Sequence, residues 1–361
     1  MTIFTRKRSL GAIAIMGLSA LALTACGSAP APGASGSAGA SDFLACAVSD
    51  EGSWNDKSFN EAAYGGLKKA ESDLGVKITG LESHSTEDFQ PNLEKTVSQN
   101  CDVTFAVGFN FSENDVMFNA AKANPTHNFV WIDGWNADPA LANLKPIQYD
   151  MAQSSFLAGY LAAAYSTSKV VGTYGGMQID AVTVFMDGFY NGAKYYEKQK
   201  GTPVTVVGWN PATKTGDFVG DFANTGVAKQ LSQGQLTKGA DVIFPVAGGL
   251  FTATAEAINE GGKGVLIGVD KDIATTQPDL APITLTSVEK RMTTAVFDVI
   301  KSLKDGEKFT DEAYVGTLAN DGTALSAFGA FDSKVSADTK SELETITKDI
   351  ESGTIDPKVT P

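Results

Sequence analysis

Hydrophobic and polar positions alternate along the chain in two repeating series of strands and helices. In the first series the apolar runs "FLACAVSD", "VKITGLES", "VTFAVGF" and "NFVWIDG" are separated by stretches with helical spacing of apolar residues. A second series of the same kind runs from "VVGTYGG" to "VLIGVD". This alternation is typical of a parallel sheet with helices on both faces. Two such series in about 320 residues exceed one core, so the sequence predicts two α/β lobes.

The change from one series to the next predicts the domain boundaries. We expect lobe one to comprise residues 43–150 and 270–303, and lobe two residues 151–269 and 304–361. The chain would then cross between the lobes near Asp150, near Asp270 and after Leu303. Two lobes joined in this way are expected to close around a ligand by a hinge motion.

Residues 1–25 have the layout of a secretory signal peptide. Arg6, Lys7 and Arg8 precede an uncharged apolar run, which is shorter than the roughly 20 residues that a membrane-spanning helix needs. The run ends in "LTAC", which resembles a bacterial lipobox with Cys26 as the lipid-modified residue. Residues 26–42 are rich in Gly, Ser, Ala and Pro and predict a flexible, lipid-anchored linker. The expected location is the extracytoplasmic face of the cell membrane; a secreted protein with an incidental cysteine is the alternative.

The charge balance argues against nucleic acid as a partner. The formal net charge of −14 becomes −17 without the leader, because three basic residues and no acidic ones are lost. Phosphate binding needs a basic surface, and so does electrostatic attachment to an anionic membrane. The lipid is therefore the expected means of attachment.

Two cysteines remain for the folded part of the chain. Cys46 lies in the first predicted strand and Cys101 opens the third, and such strands are neighbours in many open parallel sheets. An even pair in an exported protein permits one disulfide. Two buried free thiols are the alternative.

The connection between the first strand and the first helix carries more polar side chains than a turn needs. "SFNE" predicts a capping box, with Ser58 as the N-cap and Glu61 at the third helical position. Capping leaves most of the polar residues unexplained, namely Asp50, Glu51, Trp54, Asn55, Asp56 and Asn60. They follow the carboxyl end of a strand, where open α/β sheets bind ligands. A long solvated loop is the alternative.

Aromatic and acidic residues recur at the other strand ends. They occur in "GFNFSEN", "WIDGW", "FPVAGGLF" and "IGVDKD". Aromatic faces stack on flat apolar groups, while Asp and Lys bind hydroxyl groups. The pattern therefore favours a small ligand with a flat part and several hydroxyls.

Several motifs in order resemble the basic membrane lipoprotein family, the purine-nucleoside receptors of ABC transporters. They are "NDKSFNEAAYGGLKKA", "FVWIDG", "VGTYGGMQIDAVTVFMDGFYNGAKYY", "VLIGVDKD" and "TSVEK". The resemblance covers most of the mature chain. It implies a type I periplasmic-binding-protein fold, in which two Rossmann-like lobes enclose a ligand cleft. It also implies a monomeric receptor, without a metal or cofactor, that delivers a purine nucleoside to permease and ATPase subunits.

The resemblance implies which residues would bind the base. A nucleobase would lie between Phe59 and Phe185, and Asp133 would hydrogen-bond to its edge. Three residues of the first connection would complete that side: Asp50, Asp56 and Asn60.

The ribose side is implied in the same way. Its hydroxyls would meet Asp270, Lys290 and the backbone around Gly248. Several positions depart from the family pattern: Leu250 and Phe251 stand in a turn that is usually richer in glycine, Asp180 stands where proline is common, and Asn55 stands where aspartate is common. We expect Phe251 either to narrow the pocket or to add a stacking surface.

The sequence lacks the residue patterns that the enzyme classes considered would need. The chain has only His84 and His127, without metal-ligand spacing, and this excludes a histidine zinc site or a Ser-His-Asp triad. The Asp cluster of a calcium-dependent nucleosidase is also absent from the sequence. The sequence predicts a receptor, with a sugar receptor of the same fold or a lipoprotein that binds a protein partner as alternatives.

Overall fold

The computed structural model describes residues 42–361. The predicted signal peptide, Cys26 and nearly all of the predicted linker lie outside the described residues. Within residues 42–361, no helix is both long and apolar enough to cross a membrane.

The amino-terminal part of the chain forms a parallel sheet with three helices. Its strands are β1 (Leu44–Ser49), β2 (Lys77–Leu81), β3 (Val103–Val107), β4 (Phe129–Ile132) and β5 (Leu144–Tyr149). Its helices are α1 (Phe59–Leu74), α2 (Phe89–Ser98) and α3 (Val116–Ala123), with short 3-10 helices at Thr86–Asp88 and Phe109–Asp115.

The middle of the chain repeats this arrangement in lobe two. Its strands are β6 (Val170–Gly175), β7 (Thr205–Val207), the small hairpin β8 (Trp209–Asn210) and β9 (Thr215–Gly216), β10 (Val242–Val246), β11 (Val265–Asp270) and β12 (Thr284–Lys290). Its helices are α4 (Met151–Tyr165), α5 (Asp180–Lys200), α6 (Thr225–Thr237), α7 (Phe251–Gly261) and α8 (Ile273–Thr276), with 3-10 helices at Gly248–Leu250 and Pro278–Leu280.

The carboxyl-terminal part of the chain returns to both lobes. It contains α9 (Met292–Lys304), β13 (Tyr314–Gly316), β14 (Thr323–Leu325), a 3-10 helix at Gly329–Phe331 and α10 (Ala337–Glu351). The strand order is β13-β5-β4-β3-β1-β2 in lobe one and β14-β12-β11-β10-β6-β7 in lobe two. All pairs within these two sheets are parallel except β12 with β14. Two parallel α/β lobes are confirmed.

The predicted lobe boundaries at residues 270 and 303–304 are wrong. Strand β12 pairs with β11 up to Asp270↔Glu289, so the chain stays in lobe two through residue 290. Helix α9 then packs on α1, where Thr293 Oγ1 donates to the Ala62 carbonyl at 2.6 Å. Strand β13 pairs with β5, and β14 returns to lobe two beside β12. Lobe one therefore takes its second segment from about residues 291–316 and not from 270–303.

Glycines allow α4 and α5 to pack closely in lobe two. A Cβ atom at Gly159 or Gly192 would lie 1.9 Å from a backbone carbonyl of the facing helix, so no larger residue fits there. Helix α4 is buried along nearly its whole length, and α5 presents Phe185 and Phe189 to the same apolar core. This contact holds the first turns of α5 firmly in position at the carboxyl end of β6.

Cys46 and Cys101 form a disulfide. Their strands are neighbours, since Cys46 of β1 pairs with Thr104 of β3, and the two Cα atoms are 6.0 Å apart. The predicted bridge is confirmed, and the alternative of two free thiols is not.

Candidate ligand-binding site

The carboxyl ends of the two sheets contact each other across the cleft, by which we mean the space between these strand ends. Ser58 Oγ of lobe one donates to Asp270 Oδ2 of lobe two at 2.6 Å. Lys271 Nζ of lobe two donates to Glu61 Oε1 of lobe one at 2.8 Å. The two lobes are thus closed on each other at the strand ends.

Ser58 lies at the predicted N-cap position of α1, but the predicted capping-box hydrogen bonds of Ser58 and Glu61 are not formed. Asp56 caps α1 instead, since its carboxylate accepts from the backbone N–H groups of Ser58 at 2.9 Å, Asn60 at 2.8 Å and Glu61 at 3.0 Å. The side chains of Ser58 and Glu61 are engaged by Asp270 and Lys271 of the other lobe. The cap therefore stabilises the helix end that presents both cross-lobe contacts.

Lys290, at the end of β12, places its ammonium group among three aromatic rings. Its Nζ lies 5.1 Å from the ring centroid of Phe59, 5.3 Å from that of Tyr149 and 5.8 Å from that of Phe185. We call these three rings the aromatic box. The same Nζ donates to Asp133 Oδ1 at 2.6 Å, and only 4% of the Lys290 side chain is exposed. Four residues singled out in the sequence, Phe59, Asp133, Phe185 and Lys290, are thus brought together from both lobes.

Two aspartates at the cleft have unusual backbone conformations. Asp133 follows β4 with φ +59°, and Asp270 ends β11 with φ +67°. Non-glycine residues rarely adopt positive φ, and such strain occurs most often at functional sites. An aspartate with positive φ thus stands at the carboxyl end of β4 in lobe one and of β11 in lobe two.

Burial raises the pKa of Asp270 from 3.8 to about 6, although the Lys290 ammonium and the Ser58 hydroxyl oppose the shift. A carboxyl group with a raised pKa is favoured in its protonated form. The contribution of Asp270 to closure is therefore present at low pH and is lost as the pH rises from about 4 to about 6.

We predict that the lobes are more closed at about pH 5 than at about pH 7, because closure buries Asp270. Small-angle X-ray scattering without ligand should report a smaller radius of gyration at the lower pH. The Asp270→Asn variant keeps the shape of the side chain without its titration, and its pH dependence should be clearly weaker. An equal pH response in both proteins would contradict this assignment.

Asp50 is the second carboxyl group at the cleft with a strongly altered pKa. Burial raises its pKa to about 6, against the effect of hydrogen bonds from the Gly52 N–H and from Asn60 Nδ2, each at 2.8 Å. Asn60 also donates to Asp56 Oδ2 at 3.2 Å. Asp50, Asp56 and Asn60 thus form one hydrogen-bonded group beside Phe59, in the connection that follows β1.

Gly248 begins the 3-10 helix that follows β10 and has φ +54°, and a Cβ atom there would come no closer than 4.0 Å to Phe222. Its backbone is therefore held in a conformation that favours glycine. Phe251 does not reach the cleft, because its fully buried ring packs with Ala255, Ile258 and Leu266. The expectation that Phe251 shapes the pocket is wrong. Asp180 is the first residue of α5.

Two further residues of lobe one were not singled out in the sequence. Tyr149 ends β5, and Asn110 follows β3 in the 3-10 helix. The enclosed polar atoms without a hydrogen-bond partner in the structure include Asn60 Oδ1, Asn110 Oδ1 and Tyr149 OH. Buried polar atoms are nearly always paired, so these are candidate contacts for a ligand. Their positions at or shortly after the carboxyl ends of strands were the available sequence signal.

Residues 43–317 match a family model described as ABC transporter substrate-binding protein, PnrA-like. The chain belongs to this family. The chain is 30% identical over 319 residues to a protein of Lactococcus lactis subsp. cremoris named ABC transporter nucleoside-binding protein BmpA, covering 84% of this chain and 86% of the relative. It is also 30% identical over 231 residues to Basic membrane protein A of Borreliella burgdorferi, covering 63% of this chain and 64% of the relative. The resemblance to the basic membrane lipoprotein family is confirmed.

Membership of this family settles two of the predictions. The protein is a substrate-binding receptor of an ABC transporter and not an enzyme. Within residues 42–361, no group of His, Cys, Asp and Glu side chains is arranged to hold a metal ion.

The fold agrees with solved structures of solute-binding proteins. One from Aeropyrum pernix K1 superposes with a TM-score of 0.76 at 24% identity, covering 88% of this chain and 94% of that chain. A solute-binding protein from Actinobacillus succinogenes, solved with bound D-allose, superposes with a TM-score of 0.60 at 14% identity. The match covers 81% of this chain and 99% of that chain. At these identities the likeness shows the fold alone, and the predicted type I periplasmic-binding-protein fold is confirmed.

Proposed function

We propose that this receptor binds a purine nucleoside in the cleft and delivers it to the permease and ATPase subunits of an ABC importer. The observation that carries the proposal is the position of Phe59 and Phe185, one from each lobe, with both rings close to a single point at the Lys290 ammonium. A flat base between these rings would contact both lobes at once. Binding would therefore favour the closed arrangement.

The polar groups around the rings suit the rest of a nucleoside. Asp133 would accept from the N1–H of guanine or hypoxanthine, since an ionised carboxylate only accepts hydrogen bonds. Asp270, Lys290 and the backbone at Gly248 would bind the ribose hydroxyls. The name of the Lactococcus relative, a nucleoside-binding protein, agrees with this ligand class.

The proposal is tested by a thermal-shift screen of the purified mature protein. Guanosine, inosine and adenosine should each raise the melting temperature, because a ligand that binds only the folded state stabilises it by mass action. Ribose, galactose and allose serve as matched tests of the sugar-receptor alternative. Stabilisation by a sugar, without any response to nucleosides, would overturn the proposal.

We also propose that Cys26 carries the lipid that holds the receptor at the extracytoplasmic membrane surface. The leader, the lipobox-like "LTAC" and the linker support this, as do relatives named lipoproteins, among them one from Pyrococcus abyssi that is 32% identical over 268 residues. The receptor would act as a monomer at the end of its tether.

The Cys26→Ser variant is expected to lose lipid labelling and to leave the membrane fraction or retain its leader. Cys46→Ser is an unsuitable control because that residue lies in the disulfide. A matched control is Ser28→Ala, which alters the linker without touching the cysteine. Unchanged lipid labelling and fractionation of Cys26→Ser would show that the anchor lies elsewhere.

A further inference from the structure

The aromatic box surrounds a positive charge. Three ring centroids lie within 5.8 Å of Lys290 Nζ, and Asp133 supplies a carboxylate to the same ammonium. Aromatic faces attract cations through the negative potential of the ring, and cages of this kind recognise cationic ligands. The box therefore has the chemistry of a cation site as well as that of a base sandwich.

Asp133 is the carboxylate that a cationic ligand would meet at the aromatic box. Four carboxyl groups lie at these strand ends: Asp50, Asp56, Asp133 and Asp270. The cation that faces the aromatic box is Lys290, since Lys271 is paired with Glu61. A second positive charge at this site would be attracted to Asp133, because the Asp56 carboxylate caps α1 and burial favours the neutral forms of Asp50 and Asp270.

Because Lys290 Nζ lies 5.1 Å from the ring centroid of Phe59 and 5.8 Å from that of Phe185, a base that entered between these rings would displace the ammonium. A neutral base would leave Asp133, whose side chain is 13% exposed, without its counter-charge in a mostly buried site. Leaving a buried charge unpaired is costly. A cationic base would restore the counter-charge and keep the cation–π contacts with the rings.

We propose that the cleft prefers purine nucleosides whose base carries a positive charge, with 7-methylguanosine as the representative ligand, over neutral nucleosides of the same shape. This inference rests on the proposed function and specifies its ligand class. Asp133 and the aromatic box are the groups that discriminate. Lys290 moves away from the box when the base enters, towards Asp270 at the end of the neighbouring strand β11.

Calorimetry with two ligands of the same shape, of which only one is charged, tests the inference on the mature protein. 7-Methylguanosine is compared with 7-methyl-7-deazaguanosine, which has the same outline but no charge, at a slightly acidic pH that keeps the former cationic. The charged ligand should bind about tenfold more tightly. Equal binding of the pair, or failure of both methylated ligands to bind while guanosine binds, would overturn the inference.

Two variants separate charge from shape. Asp133→Asn removes the carboxylate charge and should bring the affinity ratio of the pair close to one. Lys290→Met removes the competing ammonium and should raise that ratio. Changes in the same direction for both variants would contradict the assigned roles.

The two proposals fail in distinguishable ways. If neither guanosine nor inosine binds the wild-type protein, both the proposed function and this inference fail. If guanosine binds but the cationic ligand has no advantage over its uncharged counterpart, only the inference fails.

Discussion

Replacing Phe185 by alanine is expected to weaken nucleoside binding by roughly 5- to 150-fold. Stacking of a base on an aromatic side chain contributes about 1–3 kcal/mol by alanine substitution in single-stranded nucleic-acid binders, and about 1.4 kcal/mol is tenfold in affinity. Phe185 supplies the lobe-two wall of the aromatic box, so the base would lose its contact with that lobe. Calorimetric titration with guanosine measures the effect.

Stability has to be followed in the same experiment. Phe185 is 3% exposed and packs near Phe244, with ring centroids 6.5 Å apart, and truncating a core phenylalanine costs about 3–5 kcal/mol of folding free energy. Phe185→Leu fills more of the core but lacks a ring, so it should lose affinity with a smaller loss of stability. Full affinity in a folded Phe185→Leu protein would remove stacking from the binding mode.

Phe328→Ala is the matched control in the same lobe. Strand β14 runs antiparallel to β12, with Thr323 opposite Lys290 and Leu325 opposite Val288. The chain therefore moves away from the cleft as it approaches Phe328. This substitution should lower stability to some degree while leaving guanosine affinity unchanged.

The strands and helices were predictable because their signals are local. Apolar runs such as "VTFAVGF" and the periodicity of α5 are properties of neighbouring residues, and their elements appear where the sequence places them. The return of the chain to lobe one was not predictable in this way. Strand β12 has the composition of any buried parallel strand, and only its pairing with β11 assigns it to lobe two.

The difference between local signals and long-range contacts also explains which predictions at the first helix were correct. "SFNE" has the spacing of a capping box, yet Ser58 and Glu61 bind residues 212 and 210 positions away along the chain. Hydrogen bonds to Asp270 and Lys271 of lobe two replaced the local ones, and the Asp56 side chain accepts from the first N–H groups of α1. The strand ends nevertheless predicted where the cleft lies, because parallel strands bring their carboxyl ends to one edge.

A large stability change is expected for loss of the disulfide. The bridge closes a segment with a sequence separation of 55 that contains α1, β2 and α2, and a loop of this length corresponds to about 4 kcal/mol in the chain-entropy treatment. Both cysteines are buried, so the double variant Cys46→Ala/Cys101→Ala avoids placing hydroxyl groups in the core. Urea unfolding should show lobe one losing stability by about that amount.

Lobe two provides the internal control, because the sequence has no cysteine beyond Cys101. Hydrogen-exchange mass spectrometry should therefore show faster exchange of β1 and β3 in the double variant, with little change in β6 and β10. A reducing agent should destabilise the wild-type protein in the same way and leave the double variant unaffected. If lobe one unfolds at the same urea concentration with and without the bridge, the disulfide does not contribute to its stability. The predicted asymmetry arises because the bridge restricts the unfolded chain of one lobe only, while the ligand contacts of both lobes are left in place.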